Sequence, residues 1–303
     1  MQQRTPPTKR FDPLPSTCSY VGAANTLLHS RGRHYFWQGA GALSVKAFFA
    51  GQARYSVGAA RYVVGADNYL VLNAEQPYTI AIDAAEPVES FCLFFAPGFA
   101  EHVQRDLTTP SEQLLDDPHA GGAAVSFFER TYPRDDAVFA LLVQLRAATS
   151  HGMRDPGWIE EWYHAMMQRL LAAQRGVRSE VSILPGARAA TREELYRRVH
   201  LARDYAAAMY AESVTLGDLA HVAALSPNHL LRAFRAAFGQ SPHQYLTALR
   251  LEGAQQLLRT TDLPITQICL DVGFTSLGSF TTLFSRRVGC PPATYRLRSR
   301  KAS

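Results

Sequence analysis

The chain has 303 residues, of which 47% are hydrophobic and 19% are charged, and its formal net charge is +5. This length and apolar content exclude a largely disordered polypeptide and suffice for more than one packed domain. No apolar run approaches the roughly 20 residues of a membrane-spanning helix, and the four cysteines lack paired spacing, so the pattern predicts neither membrane association nor a disulfide framework.

The first segment, residues 1–19, is predicted to be a disordered lead. It places prolines among polar residues and contains no apolar signal-peptide core. Cys92 and Cys269 lie in apolar runs, where a buried thiol is the ordinary interpretation. Reduced, buried thiols are typical of the cytosol, so we expect a cytoplasmic protein.

Residues 20–130 are predicted to form a β-rich domain. Short apolar runs alternate with glycine and Asp/Asn turn signals, and this spacing is typical of a β-sandwich or barrel. The predicted strands are residues 47–49, 62–64, 69–73, 77–82 and 88–95.

Aromatic side chains in this domain are candidates for an apolar effector pocket, because such pockets are rich in aromatic groups. The candidates are Trp37, Tyr55, Tyr62, Tyr69, Tyr78 and Phe91. Ordinary barrel core is the commoner role for any single one of them, so both interpretations stay open.

A metal-dependent enzyme built on such a barrel would need clustered histidines. The nearest histidines, His29 and His34, precede the predicted strands, and no His-x-His pair occurs in the chain. We therefore predict no catalytic residue, no metal and no cofactor.

Two helices are predicted next, over residues 136–149 and 158–175, from apolar stripes at helical spacing. They belong to a helical segment at residues 131–178. Residues 179–190 are interpreted as a linker.

The C-terminal third contains a duplicated unit. Residues 239–245 and 289–295 repeat Gly, Pro and Tyr in the same order and spacing. The offset of fifty also holds upstream, and a slip of one residue extends the match further. The upstream pairs are Ser226 with Ser276, Leu230 with Phe280, and Phe234 with Phe284, then Leu216 with Ile265, Leu219 with Ile268, and Ala220 with Cys269. A period of this size indicates a repeated supersecondary unit.

Each copy is predicted to be a helix-turn-helix, at about residues 215–238 and 264–288, within a domain at residues 191–303. A short apolar stripe, a turn, a serine cap and a longer stripe follow each other in both copies. A plain helical hairpin repeat is the alternative, but such arrays need three or more copies. Residues 191–303 carry 14 Lys and Arg against 8 Asp and Glu, a net +6, which favours a phosphate-binding module.

The C-terminal third closely resembles the DNA-binding domain of the AraC/XylS family of bacterial transcription regulators. The matching residues are Leu219, Ala220, Ser226, Leu230, Arg232, Phe234, Gly239, Pro242, Tyr245, Arg250, Leu251, Ala254, Leu257, Leu258, Ile265, Ile268, Gly273, Phe274, Phe280, Phe284, Gly289, Pro292, Tyr295 and Arg296. The resemblance implies two helix-turn-helix units joined by a linker helix, binding promoter DNA and contacting RNA polymerase. The β-rich region resembles, more weakly, the family's cupin-like sensor domain. In the family, helices placed at 131–178 pack on the barrel or pair two subunits.

The first recognition helix is predicted to read bases. Subtracting its buried stripe leaves Asn228, Leu231 and Arg232 outward, where the family's base-reading positions fall, and each suits a base edge. Ser226 and Arg235 are predicted to contact phosphate, because phosphate and sugar take most protein–DNA hydrogen bonds.

The second recognition helix is predicted to read bases weakly. Ser279 and Thr282 are short, and the family often has a longer polar or basic side chain where Thr282 stands. The remaining residues of its outer surface and end are assigned to phosphate anchoring or shape reading: Ser276, Gly278, Arg286 and Arg287.

The leading hypothesis is an α+β, two-domain transcriptional activator that responds to a small-molecule effector. Its expected partners are promoter DNA, RNA polymerase, an unidentified effector and a second copy of the chain in a homodimer, with no membrane. Two alternatives stay open: a ligand-independent regulator whose barrel serves dimerisation, and a cupin enzyme fused to a DNA-binding domain.

Overall fold

The computed structural model describes residues 24–116, 122–134, 137–186 and 188–301. The predicted disordered lead lies outside these ranges. The chain divides into two compact units, Met1–Glu180 and Val181–Ser303.

The described strands of the first unit form a seven-stranded, antiparallel, nearly closed barrel of the cupin-like type. The strands are β1 (Thr26–Ala40), β2 (Ser44–Ala50), β3 (Gln52–Val57), β4 (Ala60–Gly65), β5 (Asn68–Leu72), β6 (Pro77–Phe94) and β7 (Thr131–Pro133). Their order in the sheet is β4-β3-β6-β2-β5-β7, and β1 pairs with β6. Strand β6 is central, because β1 follows it along both halves while β3 pairs with its first half and β2 with its second half.

The alternation of side chains separates two faces of this sheet. Lys46 is in register with Cys92, and Tyr55 with Ile80, so these side chains share one face, which we call the interior face. The other face, the helix-covered face, carries Phe49, whose ring lies 5.8 Å from that of Phe139 in a covering helix.

Four helices complete the described part of the first unit: α1 (Phe99–Thr108), α2 (Ser111–Asp116), α3 (Ala137–Ser150) and α4 (Pro156–Ile183). Helix α3 buries Phe139, Leu142 and Leu145, and α4 buries Tyr163, whose ring is edge-on to Phe95 at 5.5 Å. The stripes predicted for residues 136–149 and 158–175 therefore lie on real helices that pack against the sheet.

Several elements of the first unit differ from the predictions. Strand β1 lies entirely before the first predicted strand at residues 47–49, β3 is an additional strand, and β6 is one strand where two were predicted. Helices α1 and α2 were not predicted. A register shift between Gly32 and His34 lets β1 follow β6 past its exposed middle, and backbone pairing of this kind leaves little trace in local composition.

The segment interpreted as a linker, residues 179–190, is largely helical. Helix α4 continues to Ile183, and the next helix begins at Ala189. Val181 and Leu184 of this stretch are buried. Within the described ranges, no helix combines the length and the apolar character needed to cross a bilayer.

The described part of the second unit is entirely helical. Its helices are α5 (Ala189–Ala208), α6 (Leu216–Val222), α7 (Pro227–Phe238), α8 (Pro242–Thr260), α9 (Ile265–Asp271), α10 (Leu277–Val288) and α11 (Pro292–Lys301). Helices α6 and α7 form the first helix-turn-helix and α9 and α10 the second, with α8 between them. Phe280 and Phe284 are fully buried against Leu251, Leu258 and neighbouring residues of α8 and α9.

The predicted serine caps act as the sequence indicated, and a glycine ends each of the two capped helices. Ser226 and Ser276 cap α7 and α10 by accepting a hydrogen bond from the backbone N–H three residues on, as capping hydroxyls do. Gly239 and Gly289 end the same helices in the left-handed conformation, at φ 68° and 86°.

The structure also places the one-residue slip between the copies. Leu225 N–H donates to the Ala220 carbonyl at 2.9 Å, and Phe274 N–H to the Cys269 carbonyl at 3.0 Å, so the two turns are equivalent up to these residues. Ser226 follows Leu225 directly, whereas Thr275 intervenes before Ser276. Thr275 is therefore the additional residue of the second copy.

Candidate functional site

Helix α7 presents a polar outer surface built on a buried stripe. Leu230, Ala233 and Phe234 are completely buried. Asn228 and Arg232, four residues apart, are consequently exposed side by side. This is the arrangement that a recognition helix needs to present two side chains to one groove.

Leu231 is half-buried, whereas the two other predicted base-reading residues, Asn228 and Arg232, are exposed. It lines a cavity of about 260 Å³ together with Leu216, Leu219 and the stem of Arg235. An exposed edge of an aliphatic side chain is still suited to packing against a thymine methyl group.

The charge on α7 has no carboxylate partner in the part of the chain that the structure describes. The helix contains no Asp or Glu. Across the described residues, no carboxylate lies within ion-pair distance of Arg232 or Arg235. Two exposed guanidinium groups on one acid-free helix form a local positive surface, which is the requirement for contact with phosphates.

Helix α10 has the same frame with different outer chemistry. Gly278, Ser279 and Thr282 are exposed, and so are Arg286 and Arg287 in the last turn. The exposed polar side chains in its N-terminal half, Ser279 and Thr282, end in short hydroxyls. Positive charge is concentrated at its C-terminal end, where it interacts favourably with the negative end of the helix dipole.

The two predicted positioning serines have a local structural role. The Ser226 hydroxyl accepts from His229 N–H at 3.3 Å, and the Ser276 hydroxyl accepts from Ser279 N–H at 3.4 Å. Both remain exposed. A contact with phosphate stays a prediction for each.

Helix α8 sets the separation of the two helix-turn-helix motifs. Its 19 residues correspond to roughly 28 Å at 1.5 Å per residue. Gly253 lies against Tyr210, where a Cβ would come within 2.9 Å of the phenol oxygen, so the helix is held tightly to the segment after α5. A spacer of this length is compatible with two readers about one turn of B-DNA apart.

The barrel contains a cluster of aromatic groups on its interior face, which includes four of the predicted pocket residues. The Trp37 and Tyr78 rings are 4.7 Å apart, and the Tyr55 and Tyr78 rings are 6.0 Å apart. Tyr62 is in register with Tyr55. All but the half-buried Trp37 are buried.

Tyr69 and Phe91 do not join this cluster. Tyr69 stacks on Tyr132 of β7 at 5.2 Å, and the Phe91 ring is edge-on to Phe49 at 5.8 Å on the helix-covered face. The structure thus separates the six predicted pocket residues into four that face the interior and two that pack outside it.

The interior face also carries polar groups that were not predicted. Lys46 is 2% exposed, and its Nζ lies 3.8 Å from the centre of the Phe94 ring and 5.2 Å from that of Tyr78. The signal in the sequence was a single lysine inside an apolar run, in a chain with only three lysines.

Two buried hydroxyls near it, those of Ser44 and Tyr55, have no hydrogen-bond partner among the described residues. Burial raises the pKa of Tyr55 well above its usual value, with further contributions from Cys92 and Tyr78. Burial also raises the pKa of the Cys92 thiol, and Lys46 opposes that change. These hydroxyls stay neutral and can donate.

A buried carboxylate joins the barrel to helix α3. Glu89 accepts hydrogen bonds from Arg146 at 2.6 Å and Arg31 at 2.7 Å, and it lies 2.9 Å from a ring nitrogen of His29. The hydrogen bond from Arg146 is the main reason that the pKa of Glu89 falls to about 2. This network is a structural clamp between β1, β6 and α3. No group of three His, Cys, Asp or Glu side chains suitable for a metal occurs in the described part of the chain.

Two family models match consecutive parts of the chain. One, described as an AraC-like ligand binding domain, matches residues 27–156. The other, described as a helix-turn-helix domain, matches residues 219–298.

Several curated proteins are similar over the C-terminal part. The raffinose operon transcriptional regulatory protein RafR of Pediococcus pentosaceus is 35% identical over 97 residues, 32% of this chain. The RCS-specific transcriptional activator RclR and the melibiose operon regulatory protein, both of Escherichia coli K12, are 38% and 33% identical over 87 residues, 29% of this chain. These segments cover 35%, 31% and 29% of the relatives' own lengths.

Solved structures are similar over the same region. The C-terminal domain of AraT, a response regulator from Geobacillus stearothermophilus, is 33% identical with a TM-score of 0.33, covering 33% of this chain and 84% of that one. The DNA-binding domain of AdpA, in complex with a target DNA, is 30% identical with a TM-score of 0.34, covering 35% of this chain and 95% of that one.

Proposed function

The chain belongs to the AraC family of transcriptional regulators, and on that premise we propose that it activates promoters in response to a small effector bound inside its barrel. It combines a DNA-binding helix-turn-helix domain with an N-terminal ligand-binding domain. The effector response, the activator role, dimerisation and the contact with RNA polymerase are the parts proposed.

The observation that carries the proposal is the pair of similarly capped helices α7 and α10. Both lack acidic residues and both expose arginines, in a unit whose net charge is positive. In this proposal Asn228, Leu231 and Arg232 read bases, Ser279 and Thr282 contribute weakly, and Arg235, Arg286 and Arg287 anchor phosphates. Ser226, Ser276 and Gly278 bring the backbone close to the DNA.

We propose that the protein is a cytoplasmic homodimer that pairs through α3 and α4. Val143 of α3 is 39% exposed although it is apolar, and the Trp158 and Trp162 rings of α4 lie 5.2 Å apart and are only half-buried. Aromatic and aliphatic groups left partly exposed on neighbouring helices are common in subunit interfaces.

The test begins with the purified full chain and a pool of random duplexes, from which bound sequences are selected. The enriched sequence is then placed upstream of a promoter and transcribed with purified RNA polymerase. We expect enrichment of one sequence and, when an extract of small metabolites supplies the effector, an increase in transcript that Arg232→Ala reduces. Absence of any enriched sequence would refute sequence-specific binding, and enrichment without activation in the presence of that extract would refute the activator role alone.

A further inference from the structure

The interior face of the barrel contains a lysine where a side chain is almost fully enclosed. Lys46 is 2% exposed, and lysines are rarely buried to this degree without a specific use for the charge. The aromatic rings of Phe94 and Tyr78 stabilise an ammonium group by cation–π attraction. The side chain is therefore held as a cation within an aromatic enclosure.

Two hydroxyls near this cation are unsatisfied. Tyr55 is 1% exposed and Ser44 is completely buried, and neither hydroxyl has a partner within the described ranges. A buried donor without a partner costs about 1–3 kcal/mol. Two such donors on one face of a barrel, beside a cation, mark a place where a bound molecule would supply the missing acceptors.

The surrounding surface is apolar. Trp37 packs against Tyr78, Phe48 lies 6.3 Å from Tyr55 between ring centres, and Cys92 completes the wall. Between Ser44 and Phe94, the buried, described strand residues whose side chains lie on the interior face include no Asp or Glu. Without carboxylate acceptors this face is poorly suited to a sugar or a cation, whose recognition requires acceptor groups.

We propose that the barrel interior binds a small monocarboxylic acid with an apolar body. The carboxylate accepts hydrogen bonds from the Lys46 ammonium and from the hydroxyls of Tyr55 and Ser44, and the body packs against Trp37, Phe48 and Tyr78. An ammonium has three N–H donors, so it can bind a carboxylate in addition to its other contacts. The inference rests on the effector role proposed above and names the chemical class of the effector.

The test uses the full chain with Trp37 as its only tryptophan. The chain has three tryptophans, so Trp158→Phe and Trp162→Phe leave Trp37 to report on the pocket by fluorescence. The probes are benzoate, phenylacetate, hexanoate and octanoate, each compared with its neutral primary amide. We expect at least one acid to bind about tenfold to a hundredfold more tightly than its amide, the range of a hydrogen bond to a charged group.

Three variants locate the interaction. Lys46→Met should remove the preference for the acid, and it should not unfold the barrel because an apolar side chain of similar length suits a buried site. Tyr55→Phe should lower the binding affinity for the acid by about threefold to tenfold. Tyr163→Phe is the matched control, because the Tyr163 hydroxyl is equally buried and also lacks a partner but lies on α4, outside the interior face.

Two results would overturn the proposal: no acid of the panel binding better than its amide, or an acid preference that Lys46→Met leaves intact. Operator affinity, measured with the same acids and amides on the chain that retains Trp158 and Trp162, separates this inference from the proposed function. If the amides bind, and alter operator affinity, to the same extent as the acids, the effector role would be supported and the proposal that the effector is a carboxylic acid would be refuted. Acids that bind through Lys46 without altering operator affinity would support the site and refute effector control.

Discussion

Arg232 and Arg235 lie three residues apart on α7 and are both exposed, yet their places on the helix predict different roles. Arg232 is level with Asn228 toward the start of the helix, which is the end that recognition helices insert most deeply. Arg235 lies in the last turn. The pair therefore offers a matched test of reading against anchoring.

We expect Arg232→Ala to weaken binding to the selected operator by about 1–3 kcal/mol and to relax the preference at one base pair. Arg235→Ala should weaken binding to every sequence and reduce the steepness of the salt dependence. Titrations of operator and random duplexes at several salt concentrations distinguish the two. The assignment is wrong if Arg232→Ala leaves the ratio of operator to random affinity unchanged.

Glu89 makes the first unit sensitive to acid. Its pKa in the folded protein, about 2, is below the usual 4.5, so the carboxylate favours the folded state. The stabilisation is complete above the usual pKa and is lost as pH falls toward about 2, and the difference between the two pKa values corresponds to about 3 kcal/mol.

Glu89→Gln should consequently lower the free energy of unfolding of the first unit by about 3 kcal/mol at pH 7. The difference from the wild type should shrink by about 2 kcal/mol between pH 5.5 and pH 3. Urea unfolding followed by near-ultraviolet circular dichroism measures both quantities. A difference that stays constant with pH would show that Glu89 contributes by packing alone.

At the scale of the element, the two turns have a residue with positive φ at the equivalent position, but that residue is of a different type in each turn. Gly273 has φ 87°, and a Cβ there would come within 2.9 Å of the carbonyl oxygens of Ala211 and Tyr210. Its counterpart in the first turn, Ala224, carries a side chain at φ 50° in an exposed position. The second turn therefore needs glycine for space as well as for conformation.

We predict that Gly273→Ala destabilises residues 181–303 by at least about 2 kcal/mol, because strain and a backbone clash add. Ala224→Gly should change stability by less than about 1 kcal/mol, since relief of the left-handed conformation offsets the added freedom of the unfolded chain. Urea denaturation of the two variants compares them directly. Equal losses in both would contradict the close packing at Gly273.

The two recognition helices should also contribute unequally to specificity. Asn228 and Arg232 can discriminate base edges, whereas Gly278 has no side chain and Ser279 and Thr282 are short. Saturation mutagenesis of the operator should give a sharp preference under α7 and a shallow one under α10, where groove width matters more than single bases. Equal information content at the two half-sites would mean that Ser279 and Thr282 read bases.

The helix-turn-helix elements were predictable because their signals are local. Caps such as Ser226, stops such as Gly239 and the Phe234 stripe lie within a few residues of the elements that they define. Strand β1 was not predicted from its sequence, because its stability comes from pairing with β6, whose residues lie 37 to 68 positions further along the chain. The interior cluster could not be predicted from the sequence for the same reason, since Lys46 contacts Phe94 and Tyr78 only in the folded sheet.

At the scale of the whole molecule, each unit has its own core, and the signals of the DNA-binding unit are complete within residues 181–303. One chain of this unit presents both α7 and α10. Two reading helices in one chain need no partner subunit to cover two grooves, so the domain itself should be sufficient for specific binding. Dimerisation through the first unit would then add affinity by linking two such readers.

The most direct measurement of this account is a hydroxyl-radical footprint of residues 181–303 on the selected operator, with the stoichiometry of the complex determined by sedimentation. We predict one chain per duplex and two protected windows about one helical turn, roughly 10 base pairs, apart on the same face of the DNA. A single protected window, or protection that appears only when two chains are bound, would contradict the claim that one chain carries two DNA readers.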